Sequence, residues 1–199
     1  CQRLAMALGG AVVLGGALEL PVCGALSWLA LAPLLHLQRL HRPAASAGLT
    51  GFFTFLSYAV LLRGMLPVTP FGYGFILIGT SLIYAAAAGL TSRLFGGERW
   101  SPIGVAGLWT LTEGLKSFLG LEWGTLGYTQ WGLPGILPLA GVLGAVGISF
   151  LLWWTNAWAA QLLSPLGERR LGRQAAALGV AASAAFLLAG LAPPAVETG

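Results

Sequence analysis

The chain has 199 residues, of which 57% are hydrophobic and only 8% charged. A water-soluble domain carries about 25% charged residues, so this composition excludes one and describes an integral membrane protein. The formal charge of +4 is scattered over short loops, forms no basic patch, and so excludes a nucleic-acid partner.

Membranes are spanned by helices or closed barrels. The apolar runs are about 15–29 residues long and do not alternate in polarity, as barrel strands must. The fold class is therefore all-α: a polytopic transmembrane helical bundle of about seven membrane segments, in a single domain over residues 1–199. The first two segments, about 4–20 and 24–37, are short against the roughly 20 residues of a full span. They read as a tight, partly re-entrant hairpin turning at Pro21. The third and fourth cover about 47–66 and 73–94. The fifth covers 102–119 and starts at Ser101-Pro102, a capping side chain followed by proline at the first helical position. The sixth, about 135–163, is long enough to tilt or to begin as an interfacial turn at Pro134 and Pro138. The seventh covers about 171–191.

The basic residues sort by side. Arg3, Arg39, Arg42, Arg93, Arg99, Arg169, Arg170 and Arg173 fall on one side of a seven-span arrangement. The positive-inside rule then makes the N-terminus cytoplasmic and the C-terminus extracytoplasmic. It also puts Cys1 inside and Cys23 outside, so they do not pair. A lipid-modified Cys1 needs the opposite side.

The stretch Trp109–Trp131, WTLTEGLKSFLGLEWGTLGYTQW, concentrates the polar chemistry. Glu113 and Lys116 lie one helical turn apart, and at 1.5 Å per residue they sit about 17 and 21 Å from Pro102, in the outer half of the membrane. Arg63, near the end of the third segment, comes out at similar depth, and Glu122 lies just beyond. Trp123, Tyr128, Gln130 and Trp131 follow in the loop. Two readings stay open. In the structural one, Glu113 and Lys116 form a local ion pair, the cations snorkel, and the aromatics mark the interface. In the functional one, these eight residues form an outward-opening site for a lipid headgroup or acyl ester, because ionisable groups in a membrane are costly without a role.

Smaller features read as structural. Gly9-Gly10, Gly15-Gly16, Gly141, Gly144 and Gly147 are small-residue faces for helix packing. Trp153, Trp154 and Trp158 read as an interface belt, with Asn156 bonding across helices. His36 and His41 have no third ligand at metal spacing. No cofactor or metal is expected.

The residues resemble the membrane domain of the apolipoprotein N-acyltransferase family. Trp109, Glu113 and Lys116 match its pattern of Trp, Glu four on and a basic residue three further, although that residue is usually Arg. Leu121-Glu122-Trp123-Gly124 and Gly127-Tyr128-Thr129-Gln130 match a Phe-Pro-Trp-Gly…Gly-Tyr-Ser-Gln-like run, with Glu122 in place of Pro. Ala140, Gly144, Gly147, Ser149, Phe150, Asn156 and the early stretch Leu29–Leu35 also fit. The resemblance implies a bacterial inner-membrane protein that binds phospholipid and lipoprotein acyl chains. It also implies that the N-acylation chemistry belongs to a nitrilase-like domain with a Glu–Lys–Cys triad after the seventh span. No residue of this chain is expected to be catalytic. The alternative is a catalytically inactive scaffold or accessory subunit among other membrane subunits.

Overall fold

A computed structural model of the chain describes residues 21–163, 177 and 179–181. The first expected segment, almost all of the seventh, Cys1, the glycine pairs at 9–10 and 15–16, and Arg3, Arg169, Arg170 and Arg173 lie outside the described residues.

The regular structure among the described residues is entirely helical. A 3-10 turn, Pro21–Leu26, leads into α1 (Ser27–Ala30) and α2 (Ala32–Leu40). Then come α3 (Pro43–Leu61), α4 (Pro70–Phe95), α5 (Pro102–Phe118) and α6 (Leu137–Leu162). Short 3-10 turns at Arg63–Met65, Gly97–Arg99, Leu126–Gln130 and Pro134–Ile136 join them. Proline opens α3, α4 and α5, where its missing N–H costs nothing. The side chains of Thr69 and Ser101 cap α4 and α5, accepting from the N–H groups of Gly72 at 3.2 Å and Gly104 at 3.3 Å.

Among the described residues, three helices are long and apolar enough to cross a membrane: Pro43–Leu61, Pro70–Phe95 and the Pro138–Leu162 part of α6. Of the seven segments expected, the third, fourth and sixth correspond to these helices, and the first and almost all of the seventh lie outside the described residues. The fifth segment forms a helix of 17 residues, shorter than a full span and carrying two charges. The second is broken into helices of four and nine residues. Pro33 supplies the reason for the break: it has no N–H for the carbonyl of Leu29, and its ring crowds that carbonyl. Asn156 on α6 satisfies the backbone there. Its Oδ1 accepts from the Leu31 N–H at 2.9 Å, and its Nδ2 donates to the carbonyls of Ser27 at 2.9 Å and Leu152 at 2.8 Å. The expected bond from Asn156 across helices is thus present.

The small-residue contact lies elsewhere than expected. Gly51 packs on Ala85, and Gly89 on Ala47 and Pro43, which draws α3 and α4 together. Gly141 and Gly144 are exposed, with no atom within 4 Å of a Cβ placed on either. Gly144 instead kinks α6: its φ of 68° and ψ of 174° belong to a region open essentially only to glycine. Large apolar side chains such as Phe71 (93% exposed), Phe75, Leu82 and Leu111 cover the outside, as a lipid-facing surface requires.

The bundle has two chemically distinct ends. At one, the Arg39 Nε donates to the Gly97 carbonyl at 3.0 Å, and its guanidinium lies 5.7 Å from the centre of the Trp100 ring. Arg42, Arg93 and Arg99 border the same turns. At the other, the Pro21–Leu26 turn meets the Leu126–Gln130 turn. There the Gln130 Nε2 donates to the Gly24 carbonyl at 2.9 Å and the Ser27 hydroxyl at 2.8 Å, and the Trp28 indole donates to Gln130 Oε1 at 2.9 Å.

A buried Glu–Lys pair beside an aromatic ladder

One face of α5 carries Val105, Trp109, Thr112, Glu113 and Lys116, all buried. The spacing is that of a single helical stripe. The opposite face carries Ile103, Leu111, Leu115 and Phe118, all exposed to the membrane. The helix thus turns both charges into the bundle, where Glu113 is 2% and Lys116 0% exposed. Removing two charges from water is tolerated only with close partners.

Those partners come from three other elements. Lys116 Nζ donates to the Tyr58 hydroxyl of α3 at 2.8 Å, the Tyr84 hydroxyl of α4 at 3.3 Å and the Trp123 carbonyl at 2.8 Å. It also lies 5.5 and 5.4 Å from the ring centres of Tyr58 and Tyr84, within cation–π range. Glu113 Oε1 accepts from the Trp153 indole of α6 at 3.0 Å and the Leu126 N–H at 3.2 Å. The two side chains therefore spend their hydrogen bonds on separate partners, which differs from the simple local ion pair of the structural reading.

Four aromatic rings run between the charges. Tyr58 and Tyr84 have centroids 6.3 Å apart, Tyr84 and Trp109 stack at 5.6 Å, and Trp109 and Trp153 stack at 4.4 Å. A small cleft of about 40 Å³ opens beside this ladder. Tyr58, Tyr84, Trp109, Glu113 and Trp153 line one part of it, and Leu31, Leu34, Phe53 and Leu126 supply apolar wall.

The loop after α5 is drawn back over the cleft by the same groups. The Tyr58 hydroxyl donates to the Trp123 carbonyl at 2.7 Å, beside the Lys116 bond to that atom. The next residue, Gly124, has φ +73° and lies against the Tyr58 hydroxyl, so a side chain there is both strained and crowded. Further on, the Gly127 N–H donates to the Ser149 hydroxyl of α6 at 2.8 Å.

The eight candidate residues separate into two groups. Glu113, Lys116 and Gln130 are buried, whereas Arg63, Glu122, Trp123, Tyr128 and Trp131 are exposed. Arg63 sits in the turn after α3, and Glu122 and the three aromatics sit on the loops that follow α5. Trp153 departs from the expected interface belt: it is buried, and its indole is spent on Glu113. Sequence reasoning passed over Tyr58, Tyr84 and Trp153 as site residues. The available signal was a hydroxyl-bearing ring in each of two otherwise apolar spans at the level of Lys116. No group of three or more His, Cys, Asp or Glu that could hold a metal occurs among the described residues.

Known proteins match this frame. The apolipoprotein N-acyltransferase N-terminal domain matches residues 10–158, which contain the whole cleft. The apolipoprotein N-acyltransferase of Geobacter metallireducens is 28% identical over 165 residues, covering 76% of this chain and 32% of that protein. Apolipoprotein N-acyltransferase 1 of Treponema denticola is 40% identical over 57 residues, covering 28% of this chain and 10% of that protein. The enzyme of Nitrosomonas europaea is 41% identical over 58 residues, covering 28% and 12%. The chain thus spans no more than about a third of the length of these relatives. A helical membrane chain whose buried Trp–Glu–Lys stripe falls inside a match of this extent belongs to the family of apolipoprotein N-acyltransferase N-terminal domains.

Proposed function

We propose that this chain is the lipid-binding membrane part of an N-acyltransferase system. It seats an acyl chain of a phospholipid donor or a lipoprotein acceptor along the cleft beside the aromatic ladder, which takes in a short part of the chain. The acylation itself is carried out by a catalytic domain outside these 199 residues. The observation that carries this reading is the cleft: apolar and aromatic walls around one fully buried carboxylate, in a helix whose other face meets lipid. Apolar walls accept the chain, and few fixed polar groups orient it.

The orientation follows from charge. Arg39, Arg42, Arg93 and Arg99 gather at one end, which the positive-inside rule makes cytoplasmic. The cleft then opens in the outer half of an inner membrane. The exposed Arg63, Glu122, Trp123, Tyr128 and Trp131 lie at the outer headgroup level, where Arg63 meets lipid phosphate and the aromatic rings anchor the loop.

Photocrosslinking tests the proposal. A phospholipid with a diazirine midway along one acyl chain, incorporated in nanodiscs with the chain, is expected to label Leu34, Phe53 or Trp109. Labelling confined to the outer residues Phe71, Phe75 and Leu111 makes the cleft a packing defect and removes the reading.

A further inference from the structure

The seam between α3 and α4 runs antiparallel: Gly89 meets Ala47 and the Pro43 carbonyl, and Gly51 meets Ala85. Beyond Gly89 the Ser92 and Ser46 hydroxyls lie 2.6 Å apart. Arg42 immediately precedes Pro43, and Arg93 immediately follows Ser92. The two arginines therefore stand level to within about one helical turn. Both are exposed, and neither side chain makes an ion pair or hydrogen bond among the described residues. Arg39 differs, being buried, bonded to the Gly97 carbonyl and packed on the Trp100 ring. Glu98, the carboxylate at this end among the described residues, belongs to the same short turn as Arg99.

Each of the two free arginines heads an exposed apolar row. On α3, Ala45, Gly48 and Phe52 follow Arg42 at helical spacing, and on α4 the row Leu82, Ala86 and Leu90 runs up to Arg93. Gly48, Phe52, Ala86 and Leu90 each come one residue after a seam residue, hence about 100° further round their helix. In an antiparallel pair that rotation turns both rows to the same side. The rows are small in the middle: Ala45, Gly48 and Ala86 lie between the larger Phe52 and Leu90, and no atom comes within 4 Å of a Cβ placed on Gly48. The result is a shallow apolar trough with two guanidinium groups at its end.

Two like charges at one level repel, and the positive-inside bias does not require them to head the same face. An anion between them removes the repulsion, and the apolar trough below gives that anion a chain to carry. A zwitterionic headgroup brings a cation of its own against the arginines. We infer that this trough binds an anionic phospholipid of the leaflet at the arginine end, its phosphate between Arg42 and Arg93 and an acyl chain over Gly48 and Ala86. The site is separate from the cleft and stands whether or not the cleft seats a chain.

Thermal unfolding of the 199-residue chain in detergent micelles tests this, because a bound lipid raises the midpoint. The chain is titrated with phosphatidylglycerol, phosphatidylcholine of the same acyl chains, or inorganic phosphate. The anionic lipid is expected to act at a concentration at least about tenfold lower than the zwitterionic one, since each arginine beside an anionic lipid contributes roughly a factor of five. Arg42→Gln with Arg93→Gln, at exposed side chains without partners, is expected to bring that preference below about twofold. Arg42→Lys with Arg93→Lys keeps the charges and is expected to keep most of it. Arg99→Gln is expected to change it by less than about twofold. Equal action of the two lipids on the parent overturns the inference, as does a preference that survives the paired glutamine changes. An Arg99→Gln loss as large as theirs shows a diffuse basic surface in place of a site. Inorganic phosphate matching the anionic lipid at equal concentration shows an anion site without a lipid, and overturns it as well.

Discussion

Lys116→Met is the sharpest perturbation of the buried centre, because methionine keeps the length of the side chain and removes its charge. Two effects follow, and their sizes differ. Three hydrogen bonds are lost, to Tyr58, Tyr84 and the Trp123 carbonyl. In a membrane bundle each is worth about 0.6 kcal/mol on average, or about 2 kcal/mol together. The second effect is the stranding of Glu113, which is 2% exposed and loses the ammonium that balances it. Removing one partner of a buried ion pair costs about 3–5 kcal/mol. The second effect therefore dominates, and we expect a total loss of about 4 kcal/mol or more in denaturant unfolding in detergent micelles. Glu113→Gln in the same chain relieves the stranded charge. The double variant is expected to be at least about 2 kcal/mol more stable than the sum of the single changes predicts. A Lys116→Met cost of about 2 kcal/mol or less, with additivity in the double variant, refutes the argument and reduces Lys116 to an ordinary hydrogen-bond donor.

Asn156→Ala strands the Leu31 N–H and the Ser27 carbonyl at the break between α1 and α2. A loss of about 2–4 kcal/mol is expected, with the Leu31 amide losing hydrogen-exchange protection; unchanged protection contradicts the role given to Asn156. Gly144→Ala is expected to cost about 1–3 kcal/mol because its backbone region excludes a Cβ. Gly141→Ala, in open and helical surroundings, is expected to be neutral or to stabilise by up to about 1 kcal/mol. Thermal unfolding of the two variants side by side separates the kink from the general effect of removing a glycine. Trp153→Phe keeps the ring beside Trp109 but removes the donor to Glu113 Oε1. It is expected to cost about 1–3 kcal/mol, and a loss below about 0.5 kcal/mol shows that the bond contributes nothing measurable.

Much of the fold is legible in the chain because proline and caps punctuate it. Pro43, Pro70 and Pro102 stand at the first position of their helices, and the expected fifth segment agrees with α5 to within one residue. Helix rotation is harder to read. In a soluble helix the apolar stripe points inward. In a membrane the outward face is apolar too, so Trp153 inside and Val146 outside look alike in sequence. That is why the tryptophans of α6 read as a belt, and why the glycines of α6 read as a packing face. The charged residues divide for a similar reason. Glu113 and Lys116 fall on the stripe with Trp109, which fixes their direction, whereas Arg63 and Glu122 sit in turns that no periodicity constrains. The family pattern located the right helix. It did not reveal Tyr58 and Tyr84, which reach Lys116 from helices far away in sequence.

The most direct test of the account is a crystal structure of the chain with a phospholipid brominated along one acyl chain, read by the anomalous bromine signal. The account predicts a bromine peak inside the cleft, in contact with Phe53, Trp109 or Trp153. Bromine found only along the outer surface at Phe71, Phe75 and Leu111, with the cleft empty of lipid, contradicts it.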